Sequence, residues 1–187
     1  METKKKLMHS AFRLFADKGT EFSLTEVACE VGIQKASIYA HFASKEELLY
    51  AVINQEINQY FLEINAQCRD LESMYHMILN YYEQSQTKLY FWKRLLLFPP
   101  KVFEETLVTK IQVLSDERFE LVKDILRTNM EQGIIGVQDP ETIAISFMAM
   151  VHGILSSMII YRPENVTIHL ETIWEIFWKG ISEPDHA

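Results

Sequence analysis

Apolar residues recur every three or four positions along most of the chain, which is the spacing of amphipathic helices and not of strands. The pattern is clearest over about 45–68, where it predicts one long helix. No stretch alternates apolar and polar residues as a half-buried strand would. The positions that define the long helix are Leu48, Leu49, Val52, Ile53, Ile57, Tyr60, Phe61 and Ile64.

Breaks in this pattern divide the rest of the chain into further helices. Pro99 and Pro100 interrupt one helical run, and Gly133 ends another. Asp139 followed by Pro140 supplies a cap and a first-turn proline. We therefore expect an all-α protein of about nine helices. The later helices are predicted over about 71–88, 89–98, 102–132 (one bent helix or two), 141–161 and 166–181.

The segment FSLTEVACEVGIQKASIYAHF, residues 22–42, predicts two short helices joined by a tight turn. Ser23 and Glu26 have the spacing of a capping box, which starts the first helix. Gly32 supplies the positive φ that a sharp helix exit requires. Ile38 and Phe42 lie four apart and form the buried face of the second helix. An outward face of small and polar side chains then suits a helix that enters the major groove of DNA.

These residues, with the helices before and after them, resemble the tetracycline-repressor (TetR) family of bacterial transcription regulators. Family members usually have Ser or Thr where Gln34 stands, so the second helix is expected to lack its side-chain cap. The matching positions cover about the first quarter of the chain. They are Ala11, Phe12, Phe15, Gly19, Glu26, Val27, Ala28, Gly32, Ile33, Ile38, Tyr39, Phe42, Lys45, Glu47 and Leu48.

The resemblance implies a three-helix, helix-turn-helix DNA-binding domain at 1–46 and a helical effector-binding and dimerisation domain at 47–187. It also implies a two-fold dimer whose last two helices form an intermolecular four-helix bundle, and an effector pocket enclosed by helices four to eight.

Eight residues around the second short helix are candidates for contacts with double-stranded operator DNA. Lys35 and Ser37 are expected to reach base edges, Ala36 to touch a thymine methyl, and Gln34 to be a further reader. The other four are expected to hold phosphates: Thr25, Tyr39, His41 and Lys45. Ser37 and Tyr39 have the alternative of only packing or capping locally.

The net charge of −8 is unevenly distributed along the chain. Residues 1–45 hold seven Lys or Arg against five Asp or Glu, so they carry +2 and the remainder carries −10. A weakly basic head on an acidic body directs the head toward phosphate and discourages indiscriminate binding by the body.

The two last predicted helices are apolar around most of their circumference, which predicts a homodimer. A monomeric core is the alternative. The expected interface residues are Phe147, Val151, Ile154, Met158, Ile173, Trp174 and Phe177.

The middle of the chain is rich in aromatic residues and Met, which make adaptable apolar walls. Each of these residues could equally be core. His152 is the polar candidate, with a core histidine bonded to a backbone carbonyl as its alternative. The candidates for binding a small apolar or aromatic effector are Tyr60, Met77, Tyr81, Trp92, Phe98, Phe103, Met148 and His152.

Other classes of function find little support in the sequence. No His-Glu-x-x-His pair, glycine-rich phosphate loop or nucleophile elbow is present, so no enzyme, metal site or cofactor is expected. No apolar run approaches about 20 residues, so we expect a cytoplasmic protein without membrane contact. We expect a ligand-responsive regulator that acts as a repressor and is released from a palindromic operator by its effector. The alternative is a dimeric helical ligand-binding or scaffolding protein without specific DNA binding.

Overall fold

The all-α prediction is confirmed by a computed structural model of the chain, which describes residues 2–83, 85–161 and 163–182, without the side chains of Glu63 and Pro163. These described residues form ten α-helices and two short 3-10 turns, Gly19–Glu21 and Lys101–Phe103, and they contain no strand. The helices are α1 (Glu2–Lys18), α2 (Leu24–Val31), α3 (Lys35–Ile38), α4 (Lys45–Gln67), α5 (Leu71–Glu83), α6 (Gln86–Leu97), α7 (Glu104–Glu131), α8 (Pro140–Ile160), α9 (Pro163–Thr167) and α10 (Leu170–Ser182).

Three regions differ from the sequence prediction. Helix α5 ends at Glu83 rather than at about 88, and α6 begins at Gln86 rather than at about 89 because the backbone of Ser85 is extended. The residues between the Pro pair and Gly133 form one continuous helix, α7, after a short 3-10 turn, which decides between the two alternatives. The last predicted helix is divided, because α10 starts anew at Leu170. There the carbonyl of Leu170 accepts a buried hydrogen bond of 2.8 Å from the hydroxyl of Tyr75.

The chain forms two compact units that do not divide at residue 46. Unit 1 comprises Met1–Glu63 and Gln84–Val113, and unit 2 comprises Ile64–Glu83 and Leu114–Ala187. The three helices of the expected DNA-binding domain therefore share unit 1 with α6 and most of α4. The functional division at 46 stays a prediction.

Unit 1 is built around the apolar faces of α1, α2, α4 and α6. Phe91 of α6 is fully buried, stacked on Phe12 at 4.7 Å between ring centroids and edge-on to Phe15 at 5.2 Å. On α7, Lys110 donates hydrogen bonds to the side-chain oxygens of Asn54 and Asn58, one turn apart on α4. The helices of unit 1 are thus held together by aromatic packing and by side-chain hydrogen bonds.

Unit 2 is organised by an aromatic cluster, defined here as Tyr75, Phe147, Trp174, Phe177 and Trp178. Trp174 lies at the centre, with ring centroids 5.3 Å from Tyr75, 5.9 Å from Phe177 and 5.6 Å from Trp178. Phe147 joins the cluster at 5.8 Å from Phe177. Burial raises the pKa of Tyr75 to about 12, so its hydroxyl remains a hydrogen-bond donor well into the alkaline range.

Helix α8 corrects the expectation that no apolar run reaches membrane-spanning length. The helix has 21 residues, and an 18-residue stretch within it has a mean hydropathy of 2.0, so by length and composition alone it could cross a bilayer. A core helix of a water-soluble protein passes the same test, and residues along one side of α8 are buried inside unit 2. Asp139 caps the helix by accepting from the backbone of Glu141 and Thr142, as the sequence predicts. The hydrogen bonds from Thr142 lower the pKa of the Asp139 carboxyl.

Candidate nucleic-acid interface

The first short helix of the candidate interface, α2, begins with the predicted capping box. The Ser23 hydroxyl accepts a 3.2 Å hydrogen bond from the backbone N–H of Glu26, whose carboxylate accepts one of 2.7 Å from the Ser23 N–H. Lys18 at the end of α1 donates to the same carboxylate at 2.6 Å. The bond from Lys18, followed by those from Ser23, lowers the pKa of Glu26 to about 2. The start of α2 is therefore set by an ionised carboxylate at any ordinary pH.

The turn between α2 and α3 depends on a left-handed residue. Gly32 has φ 74° and ψ 34°, and the N–H of Ile33 donates to the carbonyl of Ala28 at 3.0 Å. A side chain in this conformation would be strained, although open space surrounds the position. The glycine therefore sets the direction in which the chain leaves α2.

The second short helix, α3, presents almost all its side chains to solvent. Ile38 is fully buried, and Phe42 just beyond the helix is buried with it. Gln34 occupies the N-cap position without a side-chain capping bond, as its identity predicts. The exposed residues in and around α3 are Gln34, Lys35, Ala36, Ser37, Tyr39 and Ala40. Two buried side chains anchor a helix whose outer face is free for a partner.

The four candidate phosphate contacts differ in how far their side chains are exposed. Thr25 is exposed in the first turn of α2, Tyr39 is 52% exposed, and His41 is half-buried. Lys45 instead turns toward the head, where its Nζ donates to the carbonyl of Thr20 at 2.5 Å and lies 4.9 Å from the ring centroid of Phe22. In this conformation the Lys45 ammonium already donates a hydrogen bond within the chain, and its contact with a phosphate stays a prediction.

Sequence reasoning missed the residues that hold the α1–α2 junction, defined here as residues 16–22. Arg94 of α6 bonds the end of α1. The chain separation of more than 70 residues gives no local pattern that could have signalled this contact. Sequence reasoning also missed a contact outside this junction, between Lys4 in the first turn of α1 and Phe42 after α3, with the Lys4 Nζ 5.0 Å from the ring centroid of Phe42. The cluster of three lysines that includes Lys4 is visible in the sequence, but its aromatic neighbour is not.

Four of the eight effector candidates lie in unit 1. Tyr60 and Trp92 are buried together, with ring centroids 4.8 Å apart. Phe103 is half-buried and packs against Tyr50 at 5.5 Å. Phe98 is 72% exposed. Tyr60 and Trp92 thus pack together inside unit 1, whereas Phe98 is exposed at its surface.

The other four candidates lie in unit 2. Tyr81 is buried with its ring edge against the neighbouring Tyr82, and Met77 and Met148 are half-buried. His152 has a largely exposed surface, yet desolvation, followed by the charge of Arg118, lowers the pKa of its imidazole. His152 is thus held toward the neutral form at physiological pH.

The structure places five of the seven predicted interface residues inside the core of unit 2. Ile173 and Phe177 are half-buried. Another set of residues lies exposed on the outward faces of α8 and α10. The buried five are Phe147, Val151, Ile154, Met158 and Trp174, and the outward set is Ile145, Ala149, Gly153, Ile160 and Ile176.

Comparison with known proteins connects this geometry to a family. Residues 7–52 match the sequence model described as bacterial regulatory proteins, tetR family. The uncharacterized HTH-type transcriptional regulator YvaF of Bacillus subtilis is 25% identical over 195 aligned residues, which cover 98% of this chain and 97% of YvaF.

Solved structures show the same fold along nearly the whole chain. A putative transcriptional regulator from Saccharomonospora viridis in complex with choline has a TM-score of 0.77 at 16% identity, covering 97% of this chain and 98% of the other. The ketosteroid transcriptional regulator KstR2 of Mycobacterium tuberculosis has a TM-score of 0.71 at 18% identity, covering 96% and 95%. The chain therefore carries the amino-terminal domain of the tetR family of bacterial transcriptional regulators at residues 7–52, and it resembles members of that family along nearly its whole length.

Proposed function

We propose that this protein is a repressor that binds a palindromic operator as a homodimer and is released by a small, mainly apolar effector. The observation that carries the proposal is the outer face of α3, where six residues in and beside the helix are exposed and only Ile38 is buried within it. A short, surface-mounted helix after a glycine turn is the element that helix-turn-helix proteins insert into the major groove.

Base reading is assigned to the first turn of α3. Lys35 is exposed there and can donate to guanine O6 and N7, while Ser37 can donate or accept. Ala36 is small enough to meet a thymine methyl group, and Gln34 can pair with adenine because its side chain makes no capping bond.

Phosphate contacts are assigned to the residues that flank this surface. Thr25 lies in the first turn of α2, where backbone N–H groups and the helix dipole favour an anion. Tyr39 and His41 follow α3 and can donate to phosphate oxygens. Lys45 would exchange the Thr20 carbonyl for a phosphate on binding. The +2 charge of residues 1–45 supports this role.

Dimerisation is assigned to the outward faces of α8 and α10. Ile145 is 55% exposed, Ile160 69% and Ile176 68%, and a second chain would remove these apolar surfaces from water. Ala149 and Gly153 lie between the first two on α8 and allow close approach of a partner helix. A two-fold dimer presents two reading helices to half-sites about one DNA turn, or a multiple of it, apart.

Effector binding is assigned to the helical region outside the first three helices. The relative from S. viridis binds choline, and KstR2 is named for ketosteroids. In this chain the aromatic pair Tyr60–Trp92 of unit 1 and the residues Tyr81 and Met77 of unit 2 are the apolar candidates. A coupling of about 1–3 kcal/mol would weaken operator binding roughly 5- to 150-fold. The effector must bind the DNA-incompetent arrangement more tightly.

Binding-site selection from a random DNA pool with the purified full chain tests the proposal. We expect enrichment of an inverted repeat, and retardation of the selected duplex at a stoichiometry of one dimer per site. Recovery of no sequence from a correctly folded chain would instead favour a helical ligand-binding or scaffolding protein. Repression is tested by a reporter gene behind the selected operator, in the cytoplasm where we place the protein.

The effector is sought by thermal-shift screening of apolar and aromatic compounds. Each hit is titrated with and without operator duplex. Because coupling is reciprocal, operator must weaken effector binding by the same factor as effector weakens operator binding. Equal affinities in both titrations would exclude that compound as the inducer.

A further inference from the structure

The carboxyl end of α1 is bonded by a side chain from α6. Arg94 donates from Nε to the carbonyl of Ala16 at 3.3 Å and from Nη2 to the carbonyl of Asp17 at 2.7 Å. The last carbonyls of a helix lack intrahelical partners and carry the negative end of its dipole. The planar guanidinium satisfies two of them at once, which a lysine could not do with the same geometry.

Gly19, directly after α1, fits closely against this guanidinium. Its φ is +63°, and a Cβ added there would lie 3.0 Å from Nη1 and 3.2 Å from Cδ of Arg94. Any larger residue would therefore strain the backbone and displace the arginine. The glycine and the arginine form one contact between α6 and the α1–α2 junction.

The contact lies beside the apolar packing between α6 and α1, so a displacement of α6 would also displace α1. Phe91, three residues before Arg94, is fully buried against Phe12 and Phe15 of α1. The apolar seam resists separation of the two helices, while the directional bonds of Arg94 fix where α1 ends along it.

The bonds continue from the junction to the first helix of the helix-turn-helix. Lys18 follows the carbonyl that Arg94 holds, and it donates to Glu26 in the capping box of α2. Lys45 at the start of α4 holds the Thr20 carbonyl. In the chain without DNA, the junction is thus held by one cation from α6 and one from α4, immediately before the helices α2 and α3.

We propose that Arg94 is a positioning residue for operator binding, which fixes the α1–α2 junction and so sets the direction in which α3 is presented. This inference rests on the proposed DNA-binding function. Specific binding requires both reading helices to meet their base pairs in a fixed geometry, whereas non-specific binding depends on charge. Removal of the Arg94 side chain therefore reduces operator affinity more than affinity for unrelated DNA.

The variant Arg94→Met tests this, with Lys93→Met as the matched control. Both remove one positive charge from neighbouring positions of α6, and Lys93 is half-buried like Arg94. We expect Arg94→Met to weaken binding to the selected operator on the order of tenfold relative to Lys93→Met, as for the loss of a charged hydrogen bond. Binding to a scrambled duplex should be equal for both. Equal losses on operator and scrambled duplex would overturn the proposal.

Two further measurements separate positioning from a general loss of folding. Arg94→Lys keeps the charge and one donor, so it should recover part of the operator affinity. Gly19→Ala should weaken operator binding too, and the double variant Gly19→Ala/Arg94→Met should lose less than the sum of the two. Additive losses would mean that the two residues do not act through one contact, which contradicts the proposal.

A readout without DNA distinguishes failure of this inference from failure of the proposed function. Amide hydrogen exchange in residues 17–26 should accelerate in Arg94→Met and not in Lys93→Met, with unit 2 unchanged. If the wild-type chain selects no operator, the proposed function fails, and the exchange experiment still decides whether Arg94 holds the junction. Unchanged exchange in residues 17–26 would overturn the positioning role by itself.

Discussion

The α1–α2 junction in unit 1 and the aromatic cluster in unit 2 are held together by different kinds of force. At the junction, Arg94 and Lys45 donate to backbone carbonyls and Lys18 pairs with Glu26, so direction and charge decide the geometry. In the aromatic cluster, Trp174 and its neighbours exclude water by filling volume. Polar bonds can be exchanged for water or phosphate at small net cost, whereas buried volume cannot be replaced. The hydrogen bonds of the α1–α2 junction can therefore rearrange within the folded chain, whereas the packing of the aromatic cluster cannot.

The largest expected effect is on the aromatic cluster. Phe147→Ala removes a fully buried ring and should lower the free energy of unfolding by about 3–5 kcal/mol. Val137→Ala, at a position 89% exposed in the same unit, should change it by less than about 0.5 kcal/mol. Urea unfolding followed by circular dichroism measures both. Similar values for the two variants would show that the stability of unit 2 does not depend on the cluster.

The next effect concerns the outward face of the same helices. Ile176→Glu places a carboxylate where the partner chain is proposed to pack, and should weaken dimerisation on the order of 30-fold or more, about 2 kcal/mol. Sedimentation velocity across a dilution series gives the dimer dissociation constant. Val137→Glu adds the same charge outside α8 and α10 and should leave the constant unchanged. A wild-type chain that is monomeric at micromolar concentration would contradict the interface.

On the head, the reading helix should show the sharpest change in specificity. Lys35→Ala should reduce discrimination at one or two base pairs by about 1–3 kcal/mol for each bidentate pairing with a base, because the exposed ammonium no longer reaches a guanine. Lys101→Ala, at an exposed lysine outside the helix-turn-helix, should leave discrimination as it is. Competition with single-base operator variants provides the measurement. A uniform loss across all sequences would assign Lys35 to phosphate instead.

A smaller effect is expected from the cap of α2. Ser23→Ala removes the oxygen that accepts the Glu26 N–H, and should destabilise the chain by about 1 kcal/mol. Ser23→Thr keeps the acceptor and should retain most of the stability. Thermal unfolding compares the two, and equal midpoints would mean that the capping box contributes nothing to unfolding.

The smallest effect is a dependence on acid. The pKa of Glu26 is lowered to about 2 in the folded chain from an ordinary 4.5, so the unfolded state binds more protons between these values. Its contribution to stability is complete above about pH 4.5 and is lost as the pH falls toward 2. Glu26→Gln should therefore flatten the stability profile in that window. Val137→Ala provides the control, since it changes no titratable group and should leave the wild-type slope intact.

The head could be predicted from sequence because its determinants are local. Ser23 and Glu26 lie three positions apart, and Gly32 marks the turn by its identity, so neighbouring residues contain the whole signal. The missing cap at Gln34 follows in the same way and is confirmed. The contact of Arg94 with Ala16 joins distant parts of the chain, and no periodicity encodes it.

Helices α8 and α10 show why their buried and outward residues could not be told apart from sequence. When a helix is apolar on nearly every side, periodicity no longer tells the face that meets its own chain from the face that meets a partner. The larger side chains, such as Phe147 and Trp174, fill the core of unit 2, and the outward face keeps Ile145 and Ile176 beside smaller residues. Tertiary packing decides which face of each helix is buried, and the sequence pattern is compatible with burial of either face.

The composition of unit 1 has a consequence for building chimaeric regulators. A graft that transfers only residues 1–46 to another body would leave Phe12 without the ring of Phe91 and the end of α1 without Arg94. The transplanted head would then expose an apolar seam and lack the guanidinium that packs against Gly19. The part of the chain that must be transferred is therefore discontinuous in sequence, because it includes α6. We expect a grafted head to keep its geometry only when the recipient helix supplies an aromatic ring and an arginine three residues apart.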